Sequence, residues 1–390
     1  MIKSDITKAI KMLIYYEEEI DIRIANITPK RKTAFVFDEQ YMWHNTSGGA
    51  LFMPAGGYIQ NYGMAESPES KRRFKNLLEV TGLYDVLVKI KPDYATEKQL
   101  EYFHTKEHIA NVKRISDSGN MEDTGLFAVA GKDSYEIAKL AVGGVLAAVK
   151  AVVKGEIDNA YVLARPPGHH AEAGQGMGYC IFNNAVIAAR YAQKELGLKK
   201  VMVLDWDVHH GNGIEDAFKD DDSVLFVSLH QENLFPAGRG FMEHQGSTPE
   251  STINIPLPIT GDAGYMYALE QVVRPAAERF RPELIIVASG LDANMFDPLA
   301  RMYVTADGFG KMASYVREIA QDVCGGKMVC THEGGYSPEY VPFGGHAIVD
   351  ALAGTEIETI DPFRGGLGVL EEMREHVKEA VDKIRAFNKL

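Results

Sequence analysis

A chain of 390 residues that is 46% hydrophobic and 24% charged can bury a large core, as one sizeable α/β domain or as two smaller ones. Its 54 acidic against 41 basic residues, a net charge of -13, argue against a nucleic-acid surface and fit an enzyme with cationic substrates better. Three cysteines, Cys180, Cys324 and Cys330, with no CxxC pair, exclude a disulfide framework and suit a reducing cytoplasm, where they read as small buried hydrophobes.

The opening segment MIKSDITKAIKMLIYYEEEID lacks the apolar region and small-residue cleavage site of a signal peptide, and no later run reaches the ~20 apolar residues of a membrane helix. A cytoplasmic protein with no membrane association is expected. Residues from about 5 to 25 read as an acidic helix within an extension over 1–31, packed on the surface or against another copy of the chain. A strand, TAFVF over Thr33–Phe37, follows it. No repeat, low-complexity tract or linker divides the rest, so 32–390 is expected to form one catalytic domain.

From Ser134 onward, helical stretches alternate with short apolar runs, the pattern of βα units on a mainly parallel sheet. Helices are predicted over 134–153, 182–196, 265–280, 307–323 and 370–387, and strands over Ala160–Ala164, Val201–Asp205, Val224–Ser228, Leu284–Ser289 and Met328–Thr331. Each of these strands runs into unusual polar residues: Pro166-Pro167-Gly168-His169-His170, Asp207-Val208-His209-His210, Leu229-His230, Gly290-Leu291-Asp292 and Glu333-Gly334-Gly335-Tyr336. Ligands of parallel sheets bind beyond the carboxyl ends of the strands. Five strand ends are therefore expected to meet at one crevice.

In LDWDVHHGNG, Asp205, Asp207 and His209 alternate with Leu204, Trp206 and Val208, so an extended backbone turns one set to the same side. A carboxylate and an imidazole there suit zinc or iron(II), and Asp292 would complete a site with positions left for water and substrate. The competing reading is a set of buried, hydrogen-bonded polar residues, which is costly without a cation. His170 is placed to act as general base. His169, if bonded to Asp205, would be held more cationic, and Asn212 could orient His170 without adding charge. Tyr336, on a loop that two glycines let approach closely, offers a phenol donor for an oxyanion.

Six ordered motifs, RPPGHHA, GYCIFNN, LDWDVHHGNG, SLH, SGLDANMFDPLARM and EGGYS, together with SPESKRRFKNLLEVTGL, resemble the histone deacetylase family over about Lys32 to Gly354. The resemblance is nearest to its class II branch and the bacterial histone deacetylase-like amidohydrolases. It implies an arginase-deacetylase fold, a single α/β domain with a mainly parallel sheet of about eight strands flanked by helices. It also implies one catalytic Zn²⁺ on Asp207, His209 and Asp292, with Asp297 structural, and His169, His170 and Tyr336 as catalytic residues.

Structural K⁺ is implied too: one ion at Asp205, Asp207, Ser228 and the main-chain oxygens of His209 and Leu229, a second around Phe218, Asp221 and Val224. A narrow tunnel would be lined by Gly178, Tyr179 and Phe235, with Tyr179 standing where relatives usually carry phenylalanine. Leu299 occupies the place of the glutamate found in polyamine-selective relatives. Glu122 and Asp123 lie near the expected place of an acidic rim residue. The substrate implied is an acylated amine or acetyl-lysine peptide, with an acetylpolyamine as the alternative. An arginase-like hydrolase with two manganese ions and a catalytically silent acyl-lysine binding module fit the motif set less well.

Overall fold

The computed structural model describes residues 23–244, 246, 251–363 and 373–390. Apolar runs such as VMVLD, LIIVAS and MVCTH are buried along their whole length, which is what a strand covered on both faces requires. Eight strands pair in parallel: β1 (Thr33–Val36), β2 (Val88–Ile90), β3 (Asn159–Val162), β4 (Val201–Asp205), β5 (Val224–Gln231), β6 (Thr252–Leu257), β7 (Leu284–Ser289) and β8 (Met328–His332). Their order across the sheet is β6-β5-β4-β7-β8-β3-β1-β2.

Alternate side chains divide the core into two layers. Met202, Leu204, Ile285, Val287 and Met328 pack with the helices α2 (Ala306–Cys324) and α3 (Val341–Ala353) on one face. Val201, Val203, Leu284, Ile286 and Val329 pack on the other face with α1 (Ser134–Val153) and the helix Asn184–Lys194. The helix expected over 265–280 begins earlier, at Asp262, and passes through a π turn at Leu269–Val273 before Arg274–Phe280. The wider turn falls just ahead of Pro275, which has no amide to donate.

The strands β2 and β6, which the hydrophobic pattern missed, are the two edges of the sheet. Of the expected N-terminal helix, residues 5–22 lie outside the described residues. Residues 23–31 are tied down by Ile24 N–H to the Thr81 carbonyl and by Lys30 and Arg31 N–H to the Ala353 carbonyl. The C-terminal helix spans Glu375–Phe387, and residues 370–372 of its expected range lie outside the described residues. Among the described residues no helix is long and apolar enough to cross a membrane.

The four strands β4, β7, β8 and β3 are consecutive neighbours in the sheet. Their carboxyl ends therefore open side by side, and the loops after them carry Asp205 to His209, Asp292, Glu333 to Tyr336, and His169 with His170.

Candidate active site

Strand β4 stops at Asp205, so the alternation expected through His209 is not that of a continuing strand. Asp205 Oδ1 accepts the Asp207 amide at 3.0 Å, and Asp207 Oδ1 accepts the His209 amide at 2.9 Å. Two successive carboxylate-closed turns bring Asp207 and His209 together. From the end of β7, Asp292 Oδ1 accepts the Val208 amide at 2.9 Å, while His209 Nδ1 lies 2.9 Å from Asp292 Oδ2 and 3.1 Å from Asp207 Oδ1.

Asp207, His209 and Asp292 are all buried, with ligand atoms within 4.8 Å of one another. Burial and the neighbouring Asp207 charge push Asp292 up to about 6. A divalent cation relieves that repulsion between two buried carboxylates, and the mixed oxygen and nitrogen donor set fits zinc. Gly334 is required here, because a Cβ on it would stand 2.2 Å from Asp292 Oδ2.

Beside this triad stand the tandem histidines, ring centroids 3.8 Å apart. Asn212 Nδ2 donates to the His170 carbonyl at 3.2 Å and to Glu172 at 3.0 Å, so its Oδ1 faces His170 Nδ1, 2.8 Å away. Nδ1 therefore carries the proton and Nε2 is left as the acceptor. Burial and the adjacent His169 lower the pKa of His170 well below that of a free imidazole. His169 is the opposite case. Burial alone would lower it, but the Asp207 and Asp205 carboxylates, the latter 3.0 Å from Nδ1, raise it to about 10.

Tyr336 is placed by its backbone. Its amide donates to Asp297 Oδ2 at 2.8 Å, and Asp297 Oδ1 accepts the Leu299 amide at 3.0 Å. The second carboxylate of GLDANMFDP thus holds two loops. Burial, then Asp292 and Asp207, raise the Tyr336 phenol well above its ordinary value, which keeps it a proton donor. Its ring lies 6.4 Å from that of His209 and 5.7 Å from that of Tyr179.

A cavity of about 170 Å3 leads outward from His170, His209 and Tyr336, and Gly178, Tyr179, Phe235 and Leu299 all line it. The Tyr179 hydroxyl donates to the Leu51 carbonyl at 3.2 Å, so its polarity is directed at the backbone.

The sequence matches the histone deacetylase domain over residues 64–352. The chain belongs to the histone deacetylase family. It is 45% identical over 340 residues to the histone deacetylase-like amidohydrolase of Pseudomonas aeruginosa, an overlap of 86% of this chain and 89% of that protein. A probable deacetylase of Archaeoglobus fulgidus is 33% identical over 337 residues, covering 84% of this chain and 88% of that one. Among solved structures, the crystal structure of the HDA15 HD domain superposes with a TM-score of 0.79 at 30% identity, covering 92% of this chain and 94% of that chain. The arginase-deacetylase fold expected from the motifs is the one observed.

Within this deacetylase-family site, one of the five expected strand ends does not reach the crevice. His230 is turned to Ser228 Oγ at 2.9 Å and to the Gly240 carbonyl at 2.8 Å, facing a neighbouring cavity of about 400 Å3. Strand β5 continues three residues beyond its expected end, which carries His230 past the site. The residues expected to hold K⁺ fall into two groups. The β4–β5 register sets Asp205 against Ser228. Phe218, Asp221 and Val224 share one turn, with the Asp221 amide on the Phe218 carbonyl at 2.9 Å and the Val224 amide on the Asp221 carbonyl at 3.3 Å.

Sequence reasoning missed three features. Phe52 and Phe127 also line the tunnel, edge to face at 5.4 Å; they come from segments with no periodic pattern. Asp123, considered only as a rim acid, accepts the amides of Gly125, Phe127 and Ala128 at 2.8–3.0 Å and so shapes the Phe127 loop, while Glu122 pairs with Arg114.

The third is a buried ion cluster. Arg165 donates to both oxygens of Glu66, and Lys71 Nζ lies 3.2 Å from Glu66 Oε1. Ser70 Oγ donates to the Gly335 carbonyl at 2.9 Å. The helix Glu69–Thr81, which starts in SPESKRRF, thereby props the Tyr336 loop. An arginine directly ahead of PPGHH was the available signal, because a buried guanidinium demands a carboxylate partner.

Proposed function

We propose that this chain hydrolyses acyl-amine amides of the acetyl-lysine type in a zinc-dependent reaction, releasing a carboxylate and a free amine. The observation that carries the reading is the buried Asp207–His209–Asp292 triad at the foot of an aromatic-walled tunnel, with His170 Nε2 unengaged beside it. Zinc held by those three residues would supply Lewis acidity to the acyl carbonyl and to the attacking water.

His170 Nε2 takes the proton of that water and returns it to the departing amine nitrogen. The Tyr336 hydroxyl donates to the carbonyl oxygen as negative charge develops there, a contribution of ~3 kcal/mol for one oriented donor. His169, held cationic by Asp205, adds positive potential without having to move its proton. Phe235, Phe52 and Phe127 exclude water around a slim alkyl stem. Leu299 offers no partner to a secondary ammonium, which favours an acyl-lysine peptide over an acetylpolyamine.

K⁺ is proposed at the Asp205, Asp207, His209, Ser228, Leu229 group and at the Phe218–Asp221–Val224 turn, where the Phe218 and Asp221 carbonyls close successive turns. A reducing, cytoplasmic setting is supported by three buried, unpaired cysteines.

Turnover of an acetyl-lysine peptide and of acetylspermidine, before and after metal stripping, tests the proposal. Chelation is expected to abolish hydrolysis, one equivalent of zinc to restore it, and the peptide to be preferred. Full turnover by the stripped protein would overturn the zinc reading, and a preference for acetylspermidine would overturn the substrate class.

A further inference from the structure

Of the EGGYS segment, Gly334 and Tyr336 have been accounted for, and Glu333 has not. Its side chain is fully buried at the end of β8. A single oxygen, Oε2, accepts two consecutive amides, Gly168 at 2.6 Å and His169 at 3.0 Å, while its own amide donates to the Ser289 carbonyl. The other oxygen, Oε1, has no hydrogen-bond partner among the described residues. A carboxyl oxygen of Glu333, a ring nitrogen of His169 and the Cys180 sulfur lie within 4.8 Å of one another.

A fully buried carboxyl group that accepts two backbone amides through one oxygen and leaves the other unpartnered is costly to keep for packing alone. The two amides it holds lie on either side of Gly168, the residue immediately before the tandem histidines, and one of them is the amide of His169 itself. Asn212 fixes the His170 ring and its carbonyl, and Asp205 fixes the His169 ring, but neither accepts the Gly168 or His169 amide. Glu333 does, from a strand 165 residues away in sequence.

We infer that Glu333 is a positioning residue for the hydrolysis proposed above, clamping the Gly168–His169 backbone so that His170 Nε2 and the His169 ring face the reacting carbonyl. The inference rests on that hydrolase reading for its kinetic consequence, though the clamp itself can be measured without substrate. Removing the acceptor lets the turn drift, and small displacements of a general base cost rate far more than binding.

The test compares Glu333→Ala and Glu333→Gln, each normalised to zinc content and to sites titrated by a hydroxamate. Glutamine retains an acceptor oxygen for both amides; alanine has none. Glu333→Ala is expected to lower kcat about 100-fold with KM within about twofold, and Glu333→Gln to recover at least tenfold of that loss.

Hydrogen exchange at the Gly168 and His169 amides, read without substrate, is expected to accelerate in the alanine variant and stay near wild type in the glutamine one. Unchanged exchange in Glu333→Ala overturns the clamp. So does a kcat within about threefold of wild type, or a loss confined to KM. A glutamine variant no better than alanine overturns the acceptor role. A wild-type protein with no zinc-dependent turnover would instead sink the hydrolase reading, with the exchange measurement still deciding the clamp.

Discussion

The floor and the mouth of the tunnel are built by opposite means. At the floor, Asp205, Asp207, Asp292 and Glu333 are fully buried; Asp205 accepts an amide of its own turn, and Asp207, Asp292 and Glu333 each accept one from another strand end or loop. At the mouth, Phe52 is 41% exposed and stands on a small antiparallel sheet of Gly48–Ala50, Met53–Pro54 and Tyr62–Gly63, with Tyr58 and Tyr62 also turned to solvent. Reacting groups are thus fixed by the rigid core, while access is shaped by a surface appendage that packs little. Changes at the floor should cost stability or rate steeply, and changes at the mouth should alter substrate preference mildly.

The largest effect is expected behind the floor. Arg165→Met strips Glu66 of its bidentate partner and leaves only Lys71, which should destabilise the fold by ~3–5 kcal/mol in chemical denaturation. The sign with pH follows from Glu66. Burial alone would raise its pKa, but Arg165 and Lys71 hold it well below the ordinary value of 4.5. Its stabilisation is therefore fully present above pH 4.5 and declines as pH falls towards the depressed folded-state value. The stability margin of wild type over Glu66→Gln should hold steady from neutral pH to that point and shrink below it. A margin that grows on acidification would contradict the ion cluster.

Next comes Tyr336→Phe, which keeps the ring and removes the donor. A fall in kcat of ~10²–10³-fold with a nearly unchanged melting temperature is expected, and full retained activity would remove Tyr336 from the mechanism. The smallest effect belongs to the mouth. Phe52→Ala should raise KM for an acyl-lysine peptide by ~2–5-fold, leaving kcat and Tm unaltered, as for a half-exposed contact worth under ~1 kcal/mol. A large drop in kcat there would erase the contrast between the two regions.

The central strands were legible because residues buried on both faces must be apolar in sequence. The edge strands were not. Val88–Ile90 is a three-residue run with Lys89 exposed in its middle, and Thr252–Leu257 carries Pro256, tolerated where one side of a strand lacks a neighbour. Asp207, His209, Asp292, His169, His170 and Tyr336 were legible because ionisable residues after apolar strands need a reason to be there. Phe52 and Phe127 gave no such sign, since an aromatic in a loop has many ordinary explanations.

From the sequence alone came the residue types able to hold a cation, a candidate general base with the amide that would orient it, and the parallel α/β class, all of which depend on local pattern. Only the tertiary structure decided that β4, β7, β8 and β3 lie side by side, that His230 faces away, that Asp297 serves two loops, and that Glu333 grips the turn beneath the histidines. Apart from His230, whose partners Ser228 and Gly240 lie near it in the chain, each of those is a contact between segments far apart in sequence. Such contacts follow from how strands order themselves and how buried polar groups find partners, and no local periodicity encodes them.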